Sequence, residues 1–151
     1  MYEKSKNAEK KNKLIVVQEP VYNENGSYAI AEIRSQDNKD RWIVSLNLEN
    51  GTFQELDYQH DEAWIGGPGI PSNSYGRGTL GFLSDNETVY FQSEETGYSH
   101  LYTYNLKSKK KTQLTKGNWE VRNVSLSKDK KSFYLTTTTT HPGNRNFYKL
   151  E

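Results

Sequence analysis

The feature that most constrains the fold is a repeated pattern of short aromatic strands and polar turns. Val89-Tyr90-Phe91, a turn with Gly97, and Leu101-Tyr102 recur as Ser132-Phe133-Tyr134, a turn with Gly143, and Phe147-Tyr148. The two copies are 43 residues apart from Tyr90 to Phe133 and 46 residues apart from Leu101 to Phe147. A repeat period in the forties that is built from short strands predicts the blades of a β-propeller.

Short strands joined by turns divide the chain into three units, which we place at residues 14–58, 79–115 and 119–151. The first two units contain four strand segments and the third contains three, and helical periodicity is missing after residue 13. Asn50-Gly51 is a strong hairpin signal, because both central residues of a type I′ turn need positive φ. We therefore predict an all-β fold, a partial β-propeller with two four-stranded antiparallel blades and an incomplete third.

Two segments lie outside this repeat. Residues 1–13 are charged and lack an apolar stretch, so they predict a flexible or short helical lead-in and not a signal peptide. Residues 64–79 are rich in Gly, Pro and Ser and predict a long loop between the first and second blades. Because propellers protect their sheet edges by ring closure, we expect this open arc to belong to a longer protein and to be marginal or aggregation-prone alone.

The composition limits both the core and the partners. Hydrophobic residues make up only 32% of the chain, so the core has to rely on its 11 Tyr, 5 Phe and 3 Trp. A net charge of +1 gives no general attraction to nucleic acid, and no run approaches the ~20 apolar residues that span a bilayer. The absence of cysteine excludes disulfides, thiolate zinc sites and cysteine nucleophiles in this chain.

Catalytic residues are not predicted anywhere in this sequence. Ser74 lies in a stretch that resembles the nucleophile elbow Gly-x-Ser-x-Gly, but Ser72 stands at the first glycine position and no apolar strand precedes it. His60, His100 and His141 lie in different units and lack the i, i+4 spacing of a helical zinc site. We predict no metal ligand and no cofactor.

Glu94 and Glu95 form an adjacent carboxylate pair. Paired carboxylates can anchor an ammonium ion or share acid–base chemistry. Neighbouring residues on an extended chain point to opposite faces, however, which weakens any joint role. A solvated turn is therefore the preferred interpretation.

The long loop is the best candidate for binding, in particular Trp64, Gly66, Gly67 and Pro68. It places an aromatic side chain and two prolines between two blades, and loops on a rigid scaffold often carry binding residues. The simpler alternative is a loop that only packs against its neighbours.

Five long motifs connect the chain to a known family. They are SEETGYSHLY at residues 93–102, LTKGNWEV at 114–121, GNRNFYK at 143–149, RSQDNKDRW at 34–42 and DEAWIGGP at 61–68. The first three resemble later blades of the N-terminal β-propeller of dipeptidyl peptidase IV-like serine peptidases, in the prolyl oligopeptidase superfamily. The last two resemble the bacterial branch of that family, and the resemblance covers about residues 14–151 in order.

The resemblance implies a seven- or eight-bladed propeller fused to an α/β-hydrolase domain, in a peptidase that releases dipeptides with Pro or Ala in second position. The Ser, Asp and His triad lies in that C-terminal domain, which is therefore the expected partner together with the peptide substrate. This chain would be a non-catalytic segment that helps to enclose the active-site cavity and to restrict access to small peptides. Whether the parent protein forms a homodimer is left open.

The resemblance assigns few residues of this chain to a site. Glu94-Glu95 does not match the family's amine-anchoring acidic pair, which lies in an earlier blade. The loop after Trp64-Ile65-Gly66 approaches the substrate cavity in the family, and some relatives carry Arg and aromatic residues directly after it. This chain has Gly67 and Pro68 there instead.

One rival interpretation comes from another functional class. A stand-alone β binding module could use the many Tyr and Trp side chains as stacking platforms for a glycan or a protein partner. The chain itself does not determine the location of the protein, although bacterial members of the family are typically periplasmic or surface-exposed.

Overall fold

The computed structural model describes residues 13–71 and 78–151, and these residues contain strands and turns but no helix. The strands are β1 (Ile15–Val17), β2 (Val21–Tyr22), β3 (Tyr28–Ser35), β4 (Asp40–Asn47), β5 (Phe53–His60), β6 (Leu80–Phe82), β7 (Thr88–Ser93), β8 (His100–Asn105), β9 (Lys110–Gln113), β10 (Val121–Leu126), β11 (Phe133–Thr137) and β12 (Asn146–Leu150). They form three antiparallel sheets in chain order. The predicted all-β partial propeller is confirmed.

The first sheet has five strands where the sequence predicted four. Its order is β1-β3-β4-β5, and β2 also pairs with β3. Val17 lies opposite Ile33, and Val21 lies opposite Ile30, so β1 and β2 share one position beside β3. Pro20 stands between them, and its missing N–H explains why the two segments are not one continuous strand.

The second and third sheets follow the prediction. The second sheet has the order β6-β7-β8-β9, and the third has the order β10-β11-β12. All neighbouring strands are antiparallel and consecutive in the chain, so each sheet is a simple meander.

One turn recurs in all three sheets and is the clearest structural sign of the repeat. In each sheet the residue that starts the turn donates its backbone N–H to the carbonyl five positions later, and the residue three positions later donates back to the first carbonyl. This second donor, the fourth residue of the turn, has positive φ in every copy. The three turns span residues 23–28, 83–88 and 127–132, with Gly26, Asn86 and Lys130 at φ of 70°, 60° and 56°.

Two apolar clusters hold the sheets together. Between the first and second sheets, Ile30, Ile43 and Leu56 pack with Leu80, Phe82, Val89, Phe91 and Tyr102. Between the second and third sheets, Leu101, Val121, Phe133 and Leu135 are all at least 95% buried, and the ring of Tyr90 meets that of Phe133 edge-on at 5.1 Å. Facing sheets thus share cores built from aromatic and branched side chains, as propeller blades do.

Candidate functional site

The predicted binding loop leaves the end of β5 and returns to the start of β6. Residues 64–71 and 78–79 of this connecting loop are described, whereas Ser72 and Ser74 lie outside the described residues. Ile65 and Ile70 are both 4% exposed, whereas Trp64, which directly precedes Ile65 in the chain, is 60% exposed. The loop therefore has two apolar anchors and one aromatic side chain that faces solvent.

Hydrogen bonds attach the loop to the first sheet. The Nη2 atom of Arg34 donates to the carbonyl of Ile65 at 2.7 Å, and the N–H of Ile65 donates to the carbonyl of Asn38 at 2.8 Å. Because both backbone groups of Ile65 are satisfied, its side chain can be buried without leaving a polar group unpaired.

A second set of hydrogen bonds attaches the loop to the second sheet. The carbonyl of Pro68 accepts from Ser99 Oγ at 2.6 Å and from Gln92 Nε2 at 3.2 Å. Gln92 Oε1 accepts from Thr79 Oγ1 at 2.5 Å, and Gln92 Nε2 also donates to the carbonyl of Val121 at 2.8 Å. The fully buried Gln92 side chain thus links the loop to the second and third sheets.

Two adjacent glycines let other side chains lie against the loop. A Cβ atom on Gly67 would lie 1.7 Å from Glu94 Oε1, so the Glu94 carboxylate occupies the space that any other residue would fill. A Cβ atom on Gly66 would lie 3.9 Å from Trp64 Cε2, which is ordinary contact. The glycines therefore bring the Trp64 indole and the Glu94 carboxylate to neighbouring positions.

A cavity of about 280 Å³ opens where the loop, β5 and the β7–β8 turn meet. It is lined by residues 58–61, 64–65 and 94–95. Three of its lining side chains are carboxylates and none is Lys or Arg. Tyr58 and Trp64 are the two exposed aromatic residues of this lining.

A hydrogen-bonded group lies beside this cavity, where the start of β4 pairs with the end of β5. Asp40 is 3% exposed, and its Oδ1 atom accepts from Tyr58 OH at 2.6 Å and lies 2.7 Å from His60 Nδ1. Burial raises the pKa of Asp40, but hydrogen bonds from Lys13, Tyr58 and His60 outweigh it and lower this pKa to about 2. The hydrogen bond to Asp40, followed by that to Glu62, raises the pKa of His60 above its ordinary value.

A buried ion pair lies beneath the loop. Arg41 Nη2 donates to Glu32 Oε2 at 3.1 Å, and both side chains are fully buried. Arg34, on the same strand as Glu32, is 4% exposed, and burial lowers the pKa of its guanidinium. Such a group specifies one arrangement of the sheets, since a buried charge that loses its partner is costly.

The structure separates the predicted residues into two groups. His60, Glu94 and Glu95 line the same cavity as Trp64, although no sequence pattern connected them. The chain turns at Glu95, in line with the turn predicted there, so the alternation of an extended strand does not apply to Glu94 and Glu95. Gly66, Gly67 and Pro68 lie in the loop. The two glycines leave room for neighbouring side chains, and Pro68 contributes its backbone carbonyl as a hydrogen-bond acceptor.

The remaining histidines have structural surroundings. His100 is fully buried, with its ring nitrogens 3.1 Å from Thr115 Oγ1 and 3.0 Å from the carbonyl of Gly117, and it meets the Trp119 ring edge-on. His141 Nδ1 accepts from the N–H of Gly143 in an exposed turn. Over residues 13–71 and 78–151, no three His, Asp or Glu side chains converge as metal ligands would.

Sequence reasoning missed Arg34, Arg41, Gln59 and Gln92. All four lie inside strands and are at least 93% buried, although their residue types usually face solvent. The only available signal was a polar side chain at an inward position of an alternating strand. That signal is weak, because the side of the sheet to which each residue points cannot be assigned before the strand register is known.

Comparisons with known proteins point to one family. The model for the dipeptidyl peptidase IV (DPP IV) N-terminal region matches residues 7–151. A dipeptidyl peptidase 4 from Felis catus is 28% identical over 130 residues, which is 83% of this chain and 15% of that protein. A dipeptidyl peptidase 4 from Trichophyton equinum is 29% identical over 110 residues, which is 72% of this chain and 13% of that protein.

A solved structure shares the fold. The crystal structure of Porphyromonas gingivalis dipeptidyl peptidase 4 superposes with a TM-score of 0.69 at 15% identity, covering 89% of this chain and 18% of that chain. The chain thus spans less than a fifth of each of these relatives. None of them favours a stand-alone glycan- or protein-binding module, and assignment to the bacterial branch stays a prediction. Helices that could cross a membrane are missing from the part of the chain that the structure describes.

Proposed function

Because the chain belongs to the dipeptidyl peptidase IV N-terminal region family, we propose that it is a non-catalytic propeller segment of a serine-type dipeptidyl peptidase. In that role it helps to enclose the active-site cavity and restricts access to small peptides. The family match over residues 7–151 carries this proposal.

The surroundings of His100 and His141 support a non-catalytic role for these two side chains. His100 is held between Thr115 and Gly117 inside the core, and His141 caps an exposed turn. A general base has to reach a proton on a nucleophile or a water molecule, and His100 is fully buried.

The expected partner is an α/β-hydrolase domain that carries the Ser, Asp and His triad, and the expected substrate is a peptide held in the cavity between the two domains. The lengths of the relatives support this, since the matched region is only 13% to 15% of the curated dipeptidyl peptidases. A periplasmic or surface location would follow from the same assignment.

The connecting loop contributes shape to the cavity wall in this proposal. Gly67 and Pro68 have no polar side-chain atom for a substrate, and the Pro68 carbonyl already accepts from Ser99 and Gln92. These contacts support a loop that frames the entrance of the proposed active-site cavity and does not bind the substrate through the side chains of Gly67 and Pro68.

The test is a segment exchange in Porphyromonas gingivalis dipeptidyl peptidase 4. The segment that superposes on this chain is replaced by residues 13–151, and hydrolysis of Gly-Pro-p-nitroanilide and of casein is measured on protein that elutes as a folded species. We expect the chimera to release dipeptides and to leave internal bonds of casein intact. The 151-residue chain alone should hydrolyse neither substrate.

Two outcomes would contradict the proposal. Turnover of Gly-Pro-p-nitroanilide by the purified chain would show that it is itself a catalyst. A folded chimera that cuts casein internally, while the unaltered enzyme does not, would show that this segment does not restrict access.

A further inference from the structure

The stack of three sheets ends in two apolar faces. The clusters that hold the sheets together lie between the first and second sheets and between the second and third. The opposite face of the first sheet exposes Tyr22, Leu46 and Phe53, and the opposite face of the third sheet exposes Phe147. Large apolar side chains that are grouped on one exposed face are typical of an interaction surface. Both outer faces therefore have a composition suited to a partner.

On the third sheet, Tyr134 and Phe147 form a ridge. Their rings stack with centroids 5.8 Å apart and an angle of 14° between their planes. Phe147 holds the same register position as Ile43 and Leu101, because each of the three lies opposite the fourth residue after the recurring turn. Ile43 and Leu101 are fully buried against the following sheet, whereas Phe147 is 71% exposed. Phe147 thus holds a contact position that lacks a facing sheet in the part of the chain that the structure describes.

The outer face of the first sheet is hollow. Ala31 lies opposite Val44 there, at the register position that Phe91 and Tyr102 hold in the second sheet. Phe91 and Tyr102 fill the core against the first sheet, whereas the smaller Ala31 and Val44 line a cavity of about 250 Å³ with Leu46 at its rim. We call this surface the hollow face. It has room for rings that the corresponding face of the second sheet could not accept.

The contact between the second and third sheets shows how the ridge would meet the hollow face. Tyr90 of the second sheet meets Phe133 of the third sheet edge-on at 5.1 Å. Tyr134 holds the position of Tyr90, two residues after the recurring turn, and Ala29 holds the position of Phe133, directly after that turn. One more repetition of this contact would place Tyr134 on Ala29 of another molecule, where the small side chain leaves room for the ring.

We propose that two copies of this chain associate head to tail, with the ridge of Tyr134 and Phe147 of one copy seated in the hollow face of the other. This contact continues the packing that already joins the first sheet to the second and the second to the third. The removal of both apolar faces from water drives the association. Because the ridge and the hollow face are different surfaces, the contact is heterologous, and each dimer keeps one free ridge and one free hollow face.

This association goes beyond the proposed peptidase role, because neither a triad nor a hydrolase domain takes part. Neighbouring blades of a longer protein would compete for the same two faces, so the association is a property of the 151-residue chain by itself. It can be measured without any activity assay, and its failure would leave the proposed function untouched.

The experiment measures the mass of the purified 151-residue chain by sedimentation velocity and light scattering, from low-micromolar to high-micromolar concentration. We expect the average mass to rise with concentration through whole multiples of the chain mass, because every head-to-tail dimer can add a further copy. Far-UV circular dichroism should stay unchanged over the same range, since folded chains associate without a change of secondary structure.

Two variants separate the ridge from the hollow face. Phe147→Lys alters the ridge and Leu46→Lys alters the hollow face, and each should raise the dissociation constant at least about thirtyfold, as the loss of a central interface residue does. An equimolar mixture should form a dimer and nothing larger, because one variant keeps its hollow face and the other keeps its ridge. Tyr98→Lys is the matched control, since Tyr98 is as exposed as Leu46 but lies in the β7–β8 turn, and it should associate like the unaltered chain.

Circular dichroism and thermal melting confirm that each variant is folded. Phe53→Lys is a second variant of the hollow face, because Phe53 lies opposite Leu46 and is largely exposed. It should behave like Leu46→Lys and should likewise form a dimer with Phe147→Lys.

Several results would overturn the proposal. A folded chain that stays monomeric at high-micromolar concentration would show that the two faces do not fit each other and take other partners. Folded Phe147→Lys or Leu46→Lys that associates like the unaltered chain would show that the contact lies elsewhere. A mixture of the two monomeric variants that forms no dimer would show that the ridge does not meet the hollow face.

Discussion

Arg41 donates a hydrogen bond from Nη1 to the backbone carbonyl of Gln92 over 2.7 Å, although 51 positions separate the two residues in the chain. Both side chains are fully buried, and the bond joins the first sheet to the second. The same guanidinium is paired with Glu32, so the Arg41 side chain forms both a buried ion pair and a hydrogen bond between the two sheets.

The first prediction concerns this guanidinium. Arg41→Ala should lower the free energy of unfolding by about 3–5 kcal/mol, because it leaves the Glu32 carboxylate buried without its cation. Arg122→Ala, which removes a half-exposed pair with Glu120, should cost less than about 1 kcal/mol. Urea unfolding of both variants, followed by tryptophan fluorescence, makes the comparison, and similar losses in the two would contradict this prediction.

The second prediction concerns the amide that holds the connecting loop. Gln92→Leu removes the side-chain N–H groups that donate to the carbonyls of Pro68 and Val121. Their loss should lower the local stability of the loop by about 1.4 kcal/mol, so the N–H of Thr79 should exchange its hydrogen about tenfold faster. Exchange read by NMR or mass spectrometry tests this. Gln54→Leu is the control, since Gln54 bonds Tyr104 between the first and second sheets, away from the loop. An unchanged Thr79 rate in Gln92→Leu would show that the amide does not hold the loop.

The third prediction is a stability maximum in mildly acidic solution. The pKa of Asp40 is lowered from 3.8 to about 2, so its contribution is complete above the unfolded value and is lost as pH falls towards 2. The pKa of His60 is raised above 6.5, so its contribution is complete below 6.5 and is lost as pH rises through the raised pKa. Together these two groups favour the folded state most between about pH 4 and 6.5.

Melting temperature measured from pH 3 to 9 checks this profile. His60→Gln should remove the decline on the alkaline side and make the acidic decline smaller, because His60 is one of the three hydrogen-bond partners that lower the pKa of Asp40. His141→Gln, in an exposed turn of the third sheet, should leave both sides as they are. A decline above pH 6.5 that survives in His60→Gln would assign it to another group.

The fourth prediction uses the recurring turn. Gly26 has φ of 70° and no heavy atom within 4 Å of the place where a Cβ would be, so substitution there tests the backbone alone. Gly26→Ala should cost about 1 kcal/mol, the usual penalty for a left-handed conformation in a residue with a side chain. Gly26→Asn should cost less, because Asn86 adopts φ of 60° at the equivalent position.

Thermal or urea unfolding of the two Gly26 variants supplies the measurement. An alanine variant as stable as the asparagine variant would mean that the turn conformation is not what glycine provides at this position.

Much of the fold could be predicted from short stretches of sequence. Alternating aromatic strands, the Asn50-Gly51 turn and the spacing of Tyr90 and Phe133 depend on neighbours within a few residues, or on repetition along the chain. The split between β1 and β2 was not predicted, because Pro20 was taken as the end of a strand and the pairing of Val21 with Ile30 lies beyond it.

The candidate site was predicted only in part. Trp64, Gly66, Gly67 and Pro68 stood out through the composition of their loop. Glu94 was assigned to a solvated turn, since nothing in its own neighbourhood indicates that it lies on Gly67, 27 positions earlier in the chain.

The strand and turn pattern, the family and the absence of cysteine chemistry in this chain could be read from the sequence, because they depend on local propensity, on sequence motifs and on composition. Which polar side chains are buried together, and which carboxylates share a cavity, depends on the folded arrangement of the sheets. Sheet register and the packing of one sheet on the next bring together residues that are far apart in the chain. A shift of one position would turn Arg41 and Glu32 to the opposite face.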